Sequence, residues 1–150
     1  QSLFARNILD EKNGPPPEVN LFNEKNNGET LLKLIDAGYI KSAHDVSIGG
    51  IITAVSKMCI KGNKGINLKK PKYLISEIEY YFAEDQGRYI IEVSKDSYEN
   101  VTEILDKNAV HYDELGKINQ DQLIINEKTK VTIDELRTSN KRWLTNYMSK

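Results

Sequence analysis

The chain is 150 residues long, with 39% hydrophobic residues, 29% charged residues and a formal net charge of −1. That length fits one domain with a real core, and the near-neutral balance lacks the electrostatic footprint of a nucleic-acid binder or an anionic-membrane partner. The longest apolar run falls far short of the ~20 residues that span a bilayer, and Gln1 to Arg6 lack a signal-peptide pattern, so the composition reads as a soluble, cytoplasmic protein.

In chain order, Leu3 to Leu9 reads as a short helix from a preceding piece of protein, so the chain is expected to be a fragment. Asp10 to Asn20, with three consecutive prolines at 15–17, is an extended connector, since proline fixes φ and removes donors. A helix is predicted over Glu24 to Ala37, with Leu31, Leu32, Leu34 and Ile35 as its apolar stripe and Gly38 as a left-handed cap. Tyr39 to Val46 reads as a strand, broken by Gly49-Gly50. A second helix follows over Ile51 to Lys61, with Ile51, Ala54, Val55 and Met58 at helical spacing. Cys59 is the single cysteine. It excludes an internal disulfide and any metal site built from cysteine pairs, and its apolar neighbours make it a buried small hydrophobe.

A short strand is expected at Ile66 to Leu68, and Lys69-Lys70-Pro71-Lys72 reads as a solvated turn. Tyr80-Tyr81-Phe82 and Arg88 to Val93 read as strands. Asp96 to Asp106 is an amphipathic helix with Tyr98, Val101, Ile104 and Leu105 on one face. Short strands are predicted near Ala109 to Tyr112, Gly116 to Ile118 and Leu123 to Ile125. The last helix, Ile133 to Met148, opens with a Thr132/Glu135 capping box and buries Leu136, Trp143, Leu144 and Tyr147. Intermixed helices and strands of this kind make an α+β domain: a mixed or antiparallel sheet covered by helices, not a doubly wound parallel sheet.

Two clusters carry candidate chemistry. In Ala43 to Gly50, His44, Asp45 and Ser47 offer hydrogen-bonding groups, and Gly49-Gly50 lets backbone N–H groups face an anion at a helix start. The competing reading is a structural turn capped by Asp45 or Ser47. In Glu84-Asp85-Gln86-Gly87-Arg88 the adjacent carboxylates point apart on an extended chain, so a catalytic pair is not expected. Convergent hydrogen bonds from the acids, Gln86 and Arg88 to a polar ligand remain open, as does a surface loop in which Arg88 pairs with Glu84 or Asp85. His111, between Val110 and Tyr112, reads as a structural histidine in a strand. Two isolated histidines make a zinc site implausible, and no serine sits in an elbow motif. No catalytic or metal-ligating residue is assigned.

The string Ala43-His44-Asp45-Val46-Ser47-Ile48-Gly49-Gly50-Ile51 resembles a signature segment of the phosphoribosylformylglycinamidine synthase family. Phe82-Ala83-Glu84-Asp85-Gln86-Gly87-Arg88-Tyr89 resembles a second segment, in the right order and at the right separation. Gly14 to Leu21 is similar to the family's lead-in, and Ile133 to Arg137 with Trp143-Leu144 is similar to its carboxy terminus. The resemblance therefore covers residues 1–150 as a single carboxy-terminal domain of a larger synthase, with 1–22 as lead-in and connector. It implies the carboxy-terminal-domain fold of the aminoimidazole-ribonucleotide synthetase superfamily.

It also implies a parent ligase that uses ATP, Mg²⁺ and glutamine-derived ammonia to convert formylglycinamide ribonucleotide to the amidine in purine biosynthesis. Its partners would be the remaining domains, a glutamine amidotransferase subunit or domain, and the ribonucleotide substrate. This chain alone is expected to be inactive. Removal from the parent leaves an apolar interdomain face, which predicts homodimerisation. His44, Asp45, Ser47, Gly49, Gly50, Glu84, Asp85, Gln86 and Arg88 are the substrate- or nucleotide-binding candidates. Ile48 stands where the family usually has Asp, and Lys57 where it usually has Glu, so the chemical demand on this loop is reduced. The alternatives are a stand-alone nucleotide-binding or interaction module, or a domain of another member of the superfamily such as a thiamine-monophosphate kinase or selenophosphate synthetase.

Overall fold

A computed structural model describes residues 2–69 and 76–149. The helical segments are α1 (Leu3–Asn7), α2 (Leu21–Asp36), α3 (Gly50–Gly62), α4 (Glu77–Phe82), α5 (Tyr98–Lys107) and α6 (Ile133–Met148), with a 3-10 turn at Lys95–Ser97. The strands are β1 (Ile40–Asp45), β2 (Gly65–Leu68), β3 (Tyr89–Val93), β4 (Gly116–Asn119), β5 (Gln122–Ile125) and β6 (Thr129–Thr132). The fold class is α+β, as expected. The chain forms two compact units, Gln1–Ala54 with Ile78–Asp113, and Val55–Glu77 with Glu114–Lys150.

In the first unit β1 and β3 form an antiparallel pair in which His44 faces Ile90 and Asp45 faces Tyr89. The core joins buried Leu34, Val101 and Leu105 to Tyr39, Ile40, Ile91, Val93, Ile104 and Val110. Each such side chain contributes roughly 1.5–3 kcal/mol when fully buried. Helix α2 ends as its sequence demands. Gly38 takes φ +70, its N–H donates to Ile35 O, and Tyr39 N–H reaches back to Leu34 O. Tyr39 and Leu34 also meet in the core, which completes the hydrophobic closure of this terminator. Helix α5 ends the same way, with Ala109 N–H on Asp106 O and Val110 N–H on Leu105 O. Here the left-handed residue is Ala109, at φ 51.

In the second unit the sheet order is β4-β2-β5-β6, antiparallel except for the β2–β5 pair. Leu68, Leu123, Ile133, Val55 and Cys59 are buried. Burial pushes the Cys59 thiol up to about 11, in keeping with the inert hydrophobe expected of it. The capping box at α6 is present in both directions between Thr132 and Glu135.

Several expectations are corrected. Tyr80 to Phe82 is not a strand but the end of α4. A three-residue apolar run has no readable period, and Tyr81 buries itself while Phe82 stacks on Phe4 at 4.2 Å. Ala109 to Tyr112 is not a strand either, because the α5 terminator consumes Ala109 and Val110. His111 is exposed in the following loop, 3.6 Å from Asp113. Leu32, Ile35 and Tyr98 are exposed, as are Trp143, Leu144 and Tyr147. Trp143 stacks on Tyr147 in the same helix, at 5.6 Å, but neither has cover from the described residues. Strand β6 was not anticipated. Of the predicted Lys69-Lys70-Pro71-Lys72 turn, residues 70–72 lie outside the described residues, and Lys69 pairs with Glu114 at 2.7 Å. No helix among the described residues is long and apolar enough to cross a membrane.

Candidate functional site

The β1–β3 ladder brings the two candidate clusters together. Strand β1 runs into the loop 46–49 as β3 leaves the loop 84–88, and Val46 N–H donates to Arg88 O at 2.8 Å. The two loops and the first turns of α2 wall an open cleft of about 570 Å³. It is lined by Asp45 to Ile48, Glu84 to Tyr89, Glu24 and Lys25. Asp45, Ser47, Glu84, Asp85, Gln86 and Arg88 thus share one wall. His44 does not line the cleft, but its Nδ1 lies 2.6 Å from the Asp45 carbonyl oxygen and 3.4 Å from Asp45 Oδ1.

The glycine pair is built as an anion-accepting turn, and the anion is already present. Gly50 N–H donates to Ser47 O at 2.9 Å, closing the turn with Gly49 at φ +84 and Gly50 at φ +68. Gly49 N–H then donates to Glu84 Oε1 at 2.9 Å. The same oxygen accepts from Leu3 N–H, at the first residue of α1, at 2.8 Å. One carboxylate therefore ties α1 to the turn that opens α3, taking the place of an external phosphate at a helix start. The sequence reading placed the turn's partner on Asp45 or Ser47. It lies instead in the second cluster, which only the fold brings into reach. Gly50 is buried, and a Cβ there would come within 2.6 Å of Tyr81 O and 2.8 Å of Ala83 O.

Arg88 is held from behind. Its Nη2 donates to Ala83 O at 2.6 Å and lies 3.5 Å from Asp85 Oδ2. Its Nε is buried and finds no acceptor among the described residues. A buried donor without a partner costs about 1–3 kcal/mol. Gln86 is exposed. Carboxylates outnumber cations in the lining, with Glu24, Asp45, Glu84 and Asp85 against Lys25 and Arg88. Among the described residues, no three His, Cys, Asp or Glu side chains gather where they could hold a metal ion.

Sequence reasoning missed the contribution of α2. Asn27 Nδ2 donates to Gly87 O at 3.0 Å, and a Cβ on Gly87 would approach Glu24 Cγ to 2.9 Å. The available signal was the polar run Asn23 to Asn27, which separates Leu21 and Phe22 from the later apolar residues of the helix. Gly87, at φ +66, lets loop 84–88 lie against this run. A second hollow, along α6 between Asp134 and Asn146, contains none of the sequence candidates.

The family model described as "AIR synthase related protein, C-terminal domain" matches residues 1–126. A Pelagibacter ubique protein, phosphoribosylformylglycinamidine synthase subunit PurL, is 72% identical over 148 residues, 99% of this chain and 20% of that protein. The Bartonella bacilliformis protein of the same name is 34% identical over the same length. The structure of Thermotoga maritima PurL complexed with FGAR is similar at TM-score 0.71 and 21% identity, over 89% of this chain and 24% of that one. This likeness shows the fold. The chain spans 20% of the length of the curated relatives it matches.

Proposed function

The chain belongs to the family of AIR synthase related protein carboxy-terminal domains, and from that premise we propose that it serves as this domain of a phosphoribosylformylglycinamidine synthase. The parent would make formylglycinamidine ribonucleotide from formylglycinamide ribonucleotide in purine biosynthesis, in the cytoplasm. The observation that carries the reading is 72% identity to a protein of that name over 148 residues. The remaining synthase domains and a glutamine amidotransferase are its proposed partners.

Within that enzyme the domain contributes a wall, not a phosphate grip. The parent's ATP phosphates do not fit the Gly49–Gly50 turn, because Glu84 already accepts the Gly49 N–H and the surrounding carboxylates repel a second anion. Among the described residues no three ligands gather to hold Mg²⁺. The exposed groups that remain in the cleft suit an uncharged ligand such as an amide or ribose: the Ser47 hydroxyl and the Gln86 amide. Asp85 and the Ala83 carbonyl hold the Arg88 guanidinium in place beside them.

The test is a chimera in which this chain replaces its matching segment in the Pelagibacter protein. Amidine formation from formylglycinamide ribonucleotide, glutamine and Mg·ATP is expected to survive. A folded chimera without activity would overturn the reading. Gln86→Ala in the chimera removes the exposed amide, and is expected to raise KM for the ribonucleotide while leaving the affinity for ATP unchanged.

A further inference from the structure

The net charge of −1 conceals a separation. The first unit carries 8 Lys and Arg against 16 Asp and Glu, a net of −8, and the second carries 13 against 6, a net of +7. No run of like charge announces this, because each unit is assembled from two stretches of chain.

On the second unit the excess has a definite surface. The register sets Lys117 of β4 opposite Asn67 of β2, Asn67 opposite Ile124 of β5, and Ile124 opposite Lys130 of β6. Residues directly opposite project from the same side of a sheet. This lateral row therefore lies on one face, while buried Leu68 and Leu123 lie on the other. Lys117, Asn67 and Lys130 are exposed and Ile124 is half-buried. No ion pair holds either lysine among the described residues. Three strand spacings separate them, about 14 Å.

On the first unit α5 presents the complement. Glu99, Glu103 and Asp106 fall at spacings of four and three, one face of a helix, and Asp96 stands in the turn just before; all four are exposed. From Asp96 to Asp106 the rise is about 15 Å, the same reach as the lysine row. Like charges at this spacing destabilise a helix by a few tenths of a kcal/mol per pair, so a cationic neighbour relieves α5 itself.

We propose that the Lys117–Lys130 face of the second unit is a docking surface for the α5 carboxylate stripe of a second copy of this chain. The association is head to tail, as the two surfaces lie on different units. It extends to rings or open chains instead of stopping at a two-fold dimer. It rests on charge and register alone, independently of the synthase reading. It also differs in kind from association through the exposed apolar residues of α6, which salt strengthens instead of weakening.

The test is sedimentation velocity of the full chain over a concentration series in about 20 mM and about 500 mM NaCl, where the screening length falls from about 20 Å to about 4 Å. Concentration-dependent association that weakens at least about tenfold at the higher salt is expected. Lys117→Glu/Lys130→Glu and Glu99→Lys/Glu103→Lys are each expected to sediment as monomers. All four positions are exposed, and circular dichroism checks that the variants fold. A mixture of the two variants should associate again, since the wild-type surface left on each, and the reversed surface on each, meets its complement on the other. A chain that stays monomeric at low salt overturns the proposal, as does association indifferent to the reversals. Titration with a single-stranded oligonucleotide supplies a further arm: tight binding lost in Lys117→Glu/Lys130→Glu would assign the face to a polyanion and overturn it too.

Discussion

Gly50→Ala probes the turn that places the two loops of the cleft, and its cost can be worked from geometry. At φ +68 an L-residue loses roughly 1–2 kcal/mol to its own backbone. The new methyl would stand 2.6 Å from Tyr81 O and 2.8 Å from both Ala83 O and Phe82 C. Those are main-chain atoms at the end of α4, so relief requires a backbone shift, worth about 1–3 kcal/mol as overpacking. Loss of glycine's freedom in the unfolded chain returns about 0.4–1 kcal/mol. The net is about 2–4 kcal/mol, a large part of the 5–15 kcal/mol by which domains are stable. Gly49→Ala, at φ +84, makes the comparison: its nearest atoms belong to the Thr53 side chain, whose hydroxyl can swing aside but whose Cβ, 2.9 Å away, moves only with the backbone of α3. Its cost therefore also exceeds the backbone component. Urea unfolding followed by far-ultraviolet circular dichroism reads the difference. Trp143 is a poor probe because it is 67% exposed in the other unit. With a urea dependence near 2 kcal/mol per M, the Gly50→Ala midpoint should fall by about 1–2 M. A Gly50→Ala midpoint within about 0.5 M of the wild type would refute the close approach of α4 to the turn.

Ala109→Gly should stabilise the chain by about 0.5–1 kcal/mol, seen as a higher urea midpoint, because Ala109 holds the left-handed position of the α5 terminator. Thr30→Val should raise the thermal midpoint by about 2–4 °C, since the Thr30 hydroxyl is fully buried and unpartnered among the described residues. Cys59 should resist iodoacetamide at pH 8 in the folded chain and react on unfolding, because burial holds its thiol near 11. Glu135 accepts from Thr132 in the folded state, which lowers its pKa. Its contribution is therefore present above the unfolded value of about 4.3 and is lost as pH falls through the lower folded value, an acid loss that Glu135→Gln should remove from a pH series of unfolding midpoints.

Legibility followed the range over which each signal acts. The α2 terminator at Gly38, the α6 capping box, and the β1 and β3 strands are local chemistry, and they appear where the residues put them. The β5–β6 hairpin was hidden because its turn places Asn126 and Glu127 at φ 51 and 60. Such a turn is readable as Asn-Gly but not as Asn-Glu. Strand and helix were confused at Tyr80 to Phe82, where only the stacking of Phe82 on Phe4, distant in sequence, selects the helix. The apolar stripe of α6 was legible as a stripe, yet a sequence does not say what covers it.

Glu84 and the charge separation make the same point about the site itself. A glycine turn at a helix start signals an anion, but the sequence is silent on whether the anion is a ligand or a side chain 35 residues away. The answer changes the chemistry, because a turn that Glu84 has filled leaves the side chains of the cleft, not the helix start, to meet a ligand. Net charge behaves alike: a sum near zero describes a chain with no field and equally one folded into a −8 unit and a +7 unit. Composition limits which partners attract such a chain only after the fold has decided which charges stand together. The α5 surface follows from a legible element, an amphipathic helix with carboxylates on its outer face, whereas the lysine face needed β6, which only the fold revealed.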